Sequence, residues 1–316
     1  MVPSYTPYIR RKVNTYGLLL SYRGTCSVGA QPGLDSPAKR ADDLRTAKSC
    51  YLYTSPAVFM QIHHEPLSDV VRYIENNRDI DLKEKEIQFD NLLRYLKPFR
   101  PIDSNLNILE VGTGMGWAPI IAKKRGLRWR GLEISPMLIE AAREYGRRHG
   151  VDPDIVLGNV EDYDIGEDVY DVIIANSVFE HIQLWNIALK RMYRALKPGG
   201  VLFFESTNKW SLTSAEYPIP CYGWMPDPMR YWFRRTVQGN DIMKNGIDFH
   251  QFTYVGLRRA FREVGFSKSY DRVALLNPDD VRNPLKSQVL RACKQNAIVR
   301  ELVLTFFEMT TFVCVK

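Results

Sequence analysis

The sequence predicts an α/β fold, a doubly wound and mostly parallel sheet of seven strands. Two observations carry that reading. From Pro101 onward, short apolar runs of strand length alternate with segments of helical spacing, which places parallel strands between two layers of helices. The first run also ends in a bend of three glycines that leads straight into a helix, as open parallel sheets require where they bind a ligand.

The elements follow in order. Residues 1 to about 60 are rich in Tyr, Pro and Gly with weak periodicity, so they read as an irregular extension with one helix from Ser36 to Cys50. Helical spacing runs from Ser68 to Asn77 and from Glu84 to Leu96, where Ile87, Leu92, Leu93 and Leu96 share a face and Pro98 stops the run. Strands are predicted at Asn107–Val111, Arg128–Leu132, Asp154–Leu157, Val169–Ala175 and Val201–Ser206. Helices fall between them at Ala118–Arg125, Pro136–Gly150 and Asn186–Leu196, the last closed by the turn Lys197-Pro198-Gly199-Gly200. After Asn208 the rhythm breaks into an aromatic and proline-rich insertion, at about 208–250, with Trp210, Tyr217, Tyr222, Trp224, Tyr231, Trp232 and Phe233. It reads equally as a substrate lid and as a small satellite core. A helix at Tyr254–Val264 closed by Gly265, a strand at Ser269–Leu276, a helix at Asn296–Phe307 and a last strand at Thr311–Val315 complete the chain. The expected division is an N-terminal extension with cap helices at 1–104, and one ligand-binding domain at 105–316.

Composition narrows the class. A hydrophobic content of 45% against 25% charge argues for a packed globular chain and against disorder. No run approaches the roughly 18 apolar residues of a membrane span, and no apolar leader follows the basic residues Arg10, Arg11 and Lys12, so a cytoplasmic protein without a cleaved signal is expected. Five scattered cysteines without a CxxC pair read as reduced thiols. The net charge of +7 suits an anionic partner, but it is diffuse. Its densest part, Lys123, Lys124, Arg125, Arg128 and Arg130, then Arg147, Arg148 and His149, reads as a solvated helix face. His63-His64-Glu65 has no further ligand cluster nearby in sequence, and no metal site is expected.

The chemistry centres on Asn107-Ile-Leu-Glu-Val-Gly-Thr-Gly-Met-Gly-Trp117. Glycines at Gly112, Gly114 and Gly116 permit the tight bend and let a ligand approach the main chain. A dinucleotide fingerprint counted from Gly112 requires glycine at 117, where Trp117 stands, so a nicotinamide enzyme is the lesser reading. Glu133 ends the second strand about 20 residues after the glycines, where a carboxylate accepts from ribose hydroxyls.

With Glu110-Val111-Gly112-Thr113-Gly114-Met115-Gly116, the chain resembles the class I S-adenosylmethionine-dependent methyltransferases, of the small-molecule, quinone and sugar O-methyltransferase type. The likeness extends through Gly131-Leu132-Glu133-Ile134-Ser135, Gly158-Asn159-Val160-Glu161-Asp162, Asn176-Ser177-Val178-Phe179-Glu180-His181-Ile182 and Leu196-Lys197-Pro198-Gly199-Gly200, roughly residues 105 to 276. It implies a Rossmann-like fold and S-adenosylmethionine as cofactor. It also implies that Glu110 orients the bend and the methionine amino group, that Ile134 packs on the adenine, and that Val160 offers its N–H to the ring. Asn159 stands where the family has Asp, and its side-chain carbonyl still accepts from an amino group. Asn176, at the carboxyl end of the fourth strand, holds the methionine end through its backbone or caps the next helix.

Methyl transfer asks mainly for proximity and a deprotonated nucleophile. A hydroxyl acceptor gains from a base, and His181 and His250 are the candidates, the second because His250-Gln251-Phe252-Thr253 is similar to methyltransferases of sugar and quinone hydroxyls. Arg230, Arg234 and Arg235 either meet an acidic group on the acceptor or face water. The expected partner is therefore a small organic acceptor, apolar or aromatic. Two other readings stand beside it: a nucleic-acid methyltransferase, which lacks the N-P-P-Y-type tetrad where Asn176-Ser177-Val178-Phe179 stands, and a non-catalytic S-adenosylmethionine-binding protein.

Overall fold

The computed structural model describes residues 70–213, 220–238 and 250–316. The expected helix at 36–50 and the His63-His64-Glu65 run lie outside the described residues. Two helices come first, α1 (Val70–Asn77) and α2 (Leu82–Leu96). The alternating units follow: β1 (Asn107–Val111), α3 (Trp117–Lys124), β2 (Arg128–Glu133), α4 (Pro136–Arg148), β3 (Ile155–Leu157), β4 (Tyr170–Asn176), α5 (Trp185–Ala195) and β5 (Leu196–Thr207). The remainder is α6 (Asp227–Gln238), α7 (Tyr254–Val264), β6 (Lys268–Asp271), the single turn α8 (Arg272–Leu275), α9 (Pro284–Gln295), α10 (Ala297–Phe306) and β7 (Met309–Val315).

The seven strands form one sheet in the order β3-β2-β1-β4-β5-β7-β6. The first five are parallel, and β7 runs antiparallel between β5 and β6. Strands β1 and β4 are neighbours although their connections leave in opposite directions along the sheet, so the crevice for a ligand opens at their carboxyl ends. β4 is buried on both faces, as a central parallel strand must be, with Val172, Ile173, Ile174 and Ala175 fully covered. One core layer packs Leu109, Ile173 and Phe204 under α5 and α7, and the other packs Ile108, Val172 and Phe203 under α2 and α3.

Three local differences from expectation have physical causes. The strand expected at Ser269–Leu276 is β6 followed by α8, because the Asp271 side chain accepts from the Ala274 N–H at 3.1 Å and starts a helical turn. The same buried carboxylate takes the Tyr254 hydroxyl at 2.7 Å and the Arg300 guanidinium, bolting α7 and α10 to the sheet edge. Helix α9 was not anticipated, although Asn283 caps it and Pro284 opens it. The turn at Lys197–Gly200 lies inside β5: pairing jumps from Tyr170 with Leu196 to Val172 with Val201, and Gly199 adopts φ 71°.

The aromatic insertion is partly described. Tyr222 is buried against Met225 and Phe233, while Trp210, Trp224 and Trp232 are exposed. Arg230 does not face water: it is fully buried, pairs with Asp227 at 2.9 Å and lies 5.3 Å from the centre of the Tyr222 ring. Tyr217 and the side chains of Tyr231, Arg234 and Arg235 lie outside the described residues.

Candidate cofactor and acceptor site

The bend after β1 is built from three glycines that do different work. All three have φ between 55° and 71°, the left-handed region that other residues avoid. A Cβ on Gly112 would stand 2.3 Å from Val178 Cγ2, which belongs to the segment after β4. A Cβ on Gly116 would stand 2.8 Å from both Ala142 Cβ and Ile155 Cδ1, so this glycine provides the close packing of bend, α4 and β3 that position 117 provides in dinucleotide enzymes. Gly114 is different. Among the described residues its open side meets a single atom, the Tyr73 hydroxyl at 3.6 Å from where Cβ would sit.

Glu133 locks the bend from the neighbouring strand. Its carboxylate accepts from the Gly114 N–H at 2.8 Å, the Ile134 N–H at 3.0 Å and the Ser135 N–H at 3.1 Å. It is 5% exposed, and burial raises its pKa against the lowering effect of those three donors. The Gly112 and Thr113 N–H groups bond to the Leu132 carbonyl, which completes the cross-link between β2 and the bend.

Glu110 accepts from the Thr113 hydroxyl at 2.6 Å and from the Trp129 indole N–H at 3.3 Å. Desolvation pushes its carboxyl up to about 7; the two hydrogen bonds oppose the rise, and the nearby Glu133 charge adds to it. Thr113 is thus a residue that sequence reasoning passed over, a hydroxyl that ties the acid of β1 to the bend.

The other predicted cofactor residues lie on adjoining loops at the carboxyl edge. Ile134 is 40% exposed directly after β2, an apolar surface that a flat ring would cover. Asn159 follows β3 and its side-chain carbonyl accepts from the Glu161 N–H at 3.0 Å, leaving a second lone pair on that oxygen; Val160 is buried beside it. Asn176 is exposed at the end of β4, next to Ser177, whose φ is 50°.

The two histidines differ in support. His181 ends the one-turn helix Phe179–His181, which the neighbouring Glu180 anchors by accepting from the Ser206 hydroxyl at 2.9 Å. His250 Nε2 lies 2.8 Å from the Gln183 carbonyl, and its ring meets Trp185 and Phe252. A carbonyl only accepts, so Nε2 carries the hydrogen and Nδ1 is the nitrogen able to take a proton. The His250 N–H also donates to the Glu180 carbonyl at 3.3 Å, which brings the segments of both histidines together.

Residues 109–204 match the family model described as a methyltransferase domain. The match runs from β1 into β5 and makes this stretch similar to a methyltransferase domain. The cradle fits S-adenosylmethionine, the cofactor that the sequence resemblance implies: an open main-chain bend at Gly114 beside a buried carboxylate at Glu133. Over 112 residues the chain is 36% identical to a ribosomal protein L11 methyltransferase of Dictyoglomus thermophilum, covering 35% of this chain and 33% of that one. Over 171 residues it is 27% identical to a ubiquinone biosynthesis O-methyltransferase of Methylocella silvestris, covering 52% and 64%. It thus spans less than two thirds of either relative. A solved S-adenosylmethionine-dependent methyltransferase from Mesorhizobium loti aligns with a TM-score of 0.47 and 16% identity, covering 70% of this chain and 95% of that one. Among the described residues, no helix is long and apolar enough to cross a membrane.

Proposed function

We propose that the chain is an enzyme that transfers the methyl group of S-adenosylmethionine to a hydroxyl oxygen of a small or medium-sized organic acceptor, of natural-product, sugar or quinone type. The observation that carries the reading is the carboxylate of Glu133 bonded to the Gly114 N–H, which joins a nucleoside-gripping acid to the open glycine of the bend. The likeness to an O-methyltransferase over about half the chain supports oxygen as the acceptor atom.

The cofactor supplies a methyl group on a sulfonium, already activated for in-line displacement. The protein's residues do the rest. Glu133 would take the ribose hydroxyls, Ile134 would pack on the adenine, Asn159 and Val160 would meet its edge, and Asn176 and Glu110 would serve the methionine end. His250 takes the acceptor proton at Nδ1, its ring held by the Gln183 carbonyl and by Trp185. His181 is the alternative base. Trp210 and Trp224, 5.7 Å apart and both exposed, offer an aromatic surface for the acceptor beyond β5. In this reading residues 105–316 are the catalytic domain, and α1 and α2 cap it.

Calorimetric titration with S-adenosylmethionine tests the first half, and release of S-adenosylhomocysteine across a panel of hydroxylated acceptors tests the second. Binding followed by acceptor-dependent release is expected. Binding without turnover on every hydroxyl, with turnover on an amine or on RNA, would refute the oxygen assignment.

A further inference from the structure

We propose that Tyr73, on α1, is a further cofactor-binding residue, its hydroxyl donating to the carboxylate of the amino-acid half of S-adenosylmethionine. The proposal rests on the cofactor reading above and deepens the same site.

The argument starts from the glycines. Gly112 and Gly116 face protein, at Val178 and at Ala142 with Ile155, so no ligand reaches them from those sides. Gly114 is the one whose open side is not filled by a hydrocarbon group, and the Tyr73 hydroxyl is the atom that looks onto it among the described residues. The side chain is set there by packing. Helix α1 lies against the bend and α4, with Val70, Met115 and Leu138 as the buried contact and Tyr73, Ile74, Trp117 and Ala141 around it. The ring thereby stands above the bend as a wall.

Electrostatics gives the hydroxyl its role. Burial and the neighbouring Glu133 charge both raise its pKa, so it remains a protonated donor throughout the neutral range. Glu133 already accepts three backbone N–H groups and turns its remaining capacity to the ribose. Glu133 and the Tyr73 hydroxyl both stand at Gly114, so with the sugar held by Glu133 the amino-acid half would come within reach of Tyr73 if it lay along the bend. The carboxylate of that amino acid is the acceptor that matches a phenolic donor, by a charge-assisted hydrogen bond.

The test compares Tyr73→Phe and Tyr73→Ala with the wild-type chain by calorimetry. The two ligands are S-adenosylhomocysteine and 5′-methylthioadenosine, which has the same nucleoside and no amino acid. Loss of the hydroxyl alone should weaken S-adenosylhomocysteine about tenfold and leave 5′-methylthioadenosine and the melting temperature unchanged; Tyr73→Ala should weaken both ligands. Equal affinities of the Phe variant and wild type for S-adenosylhomocysteine would overturn the proposal while leaving the cofactor reading intact. An equal loss with both ligands would move the contact to the ribose and overturn the assignment to the carboxylate. Failure of the wild-type chain to bind either ligand would overturn the cofactor reading itself.

Discussion

The carboxyl of Glu110 makes the folded chain sensitive to pH in a calculable way. Its pKa is pushed from 4.5 up to about 7 by desolvation, so between those values the folded state holds a proton that the unfolded chain has released. Stability from this group is therefore complete below about 4.5 and is lost as pH rises through about 7. A shift of that size corresponds to at most about 3 kcal/mol, less where solvent reaches the half-buried side chain. For a compact unit of this size it lowers the melting temperature by roughly 5–10 °C. Glu110→Gln removes the titration while retaining an acceptor for Thr113 and Trp129. Thermal melts of the cofactor-free chain from pH 4.5 to 8.5 check the effect as the difference between wild type and variant, which cancels all other titrating groups. The wild type should lose stability relative to the variant as pH rises, with the steepest change between about 4.5 and 7 and a levelling off above 7. Parallel profiles, or a wild type that gains on the variant, would refute the reasoning.

Two further predictions concern the bend and the base. Gly116→Ala places a methyl 2.8 Å from Ala142 and Ile155 at a left-handed φ, and should cost about 3 kcal/mol in urea unfolding. Gly114→Ala meets only the Tyr73 hydroxyl at 3.6 Å, so it should cost about 1–2 kcal/mol of stability from the left-handed φ alone while weakening S-adenosylmethionine by at least tenfold in calorimetry. The reverse ranking of the two variants in stability would contradict the division of labour between these glycines. His250→Ala should lower kcat about 100-fold and leave cofactor affinity unchanged. A larger kcat loss in His181→Ala would transfer the role of base to His181.

What the sequence made legible was local. The bend, the acid at the end of β2 and the loop after β4 each lie within a single strand-to-loop step, where residue type and spacing fix the backbone. The ends of β1 to β4 were readable to within a residue for the same reason, whereas β5 starts earlier, at Leu196, and β6 was misjudged because one capping carboxylate, Asp271, outweighed the apolar pattern of Val273, Ala274, Leu275 and Leu276. Tertiary placement stayed hidden. In α1, Tyr73 carries no spacing signal that separates it from Ile74, and it reaches the bend only because Val70 packs on Met115 and Leu138.

The same limit applies inside the motif. In Gly112-Thr113-Gly114-Met115-Gly116 the three glycines are equivalent as letters, and one local rule explains them all: a left-handed bend needs them. Their separate duties are written elsewhere, in Val178 after β4, in Ala142 on α4 and in Ile155 on β3, each far along the chain. Only when those side chains close two of the three positions does the third become the place where a ligand meets the main chain. The side chain opposite it then becomes part of the site, so a binding residue can be identified by the space its neighbours leave open.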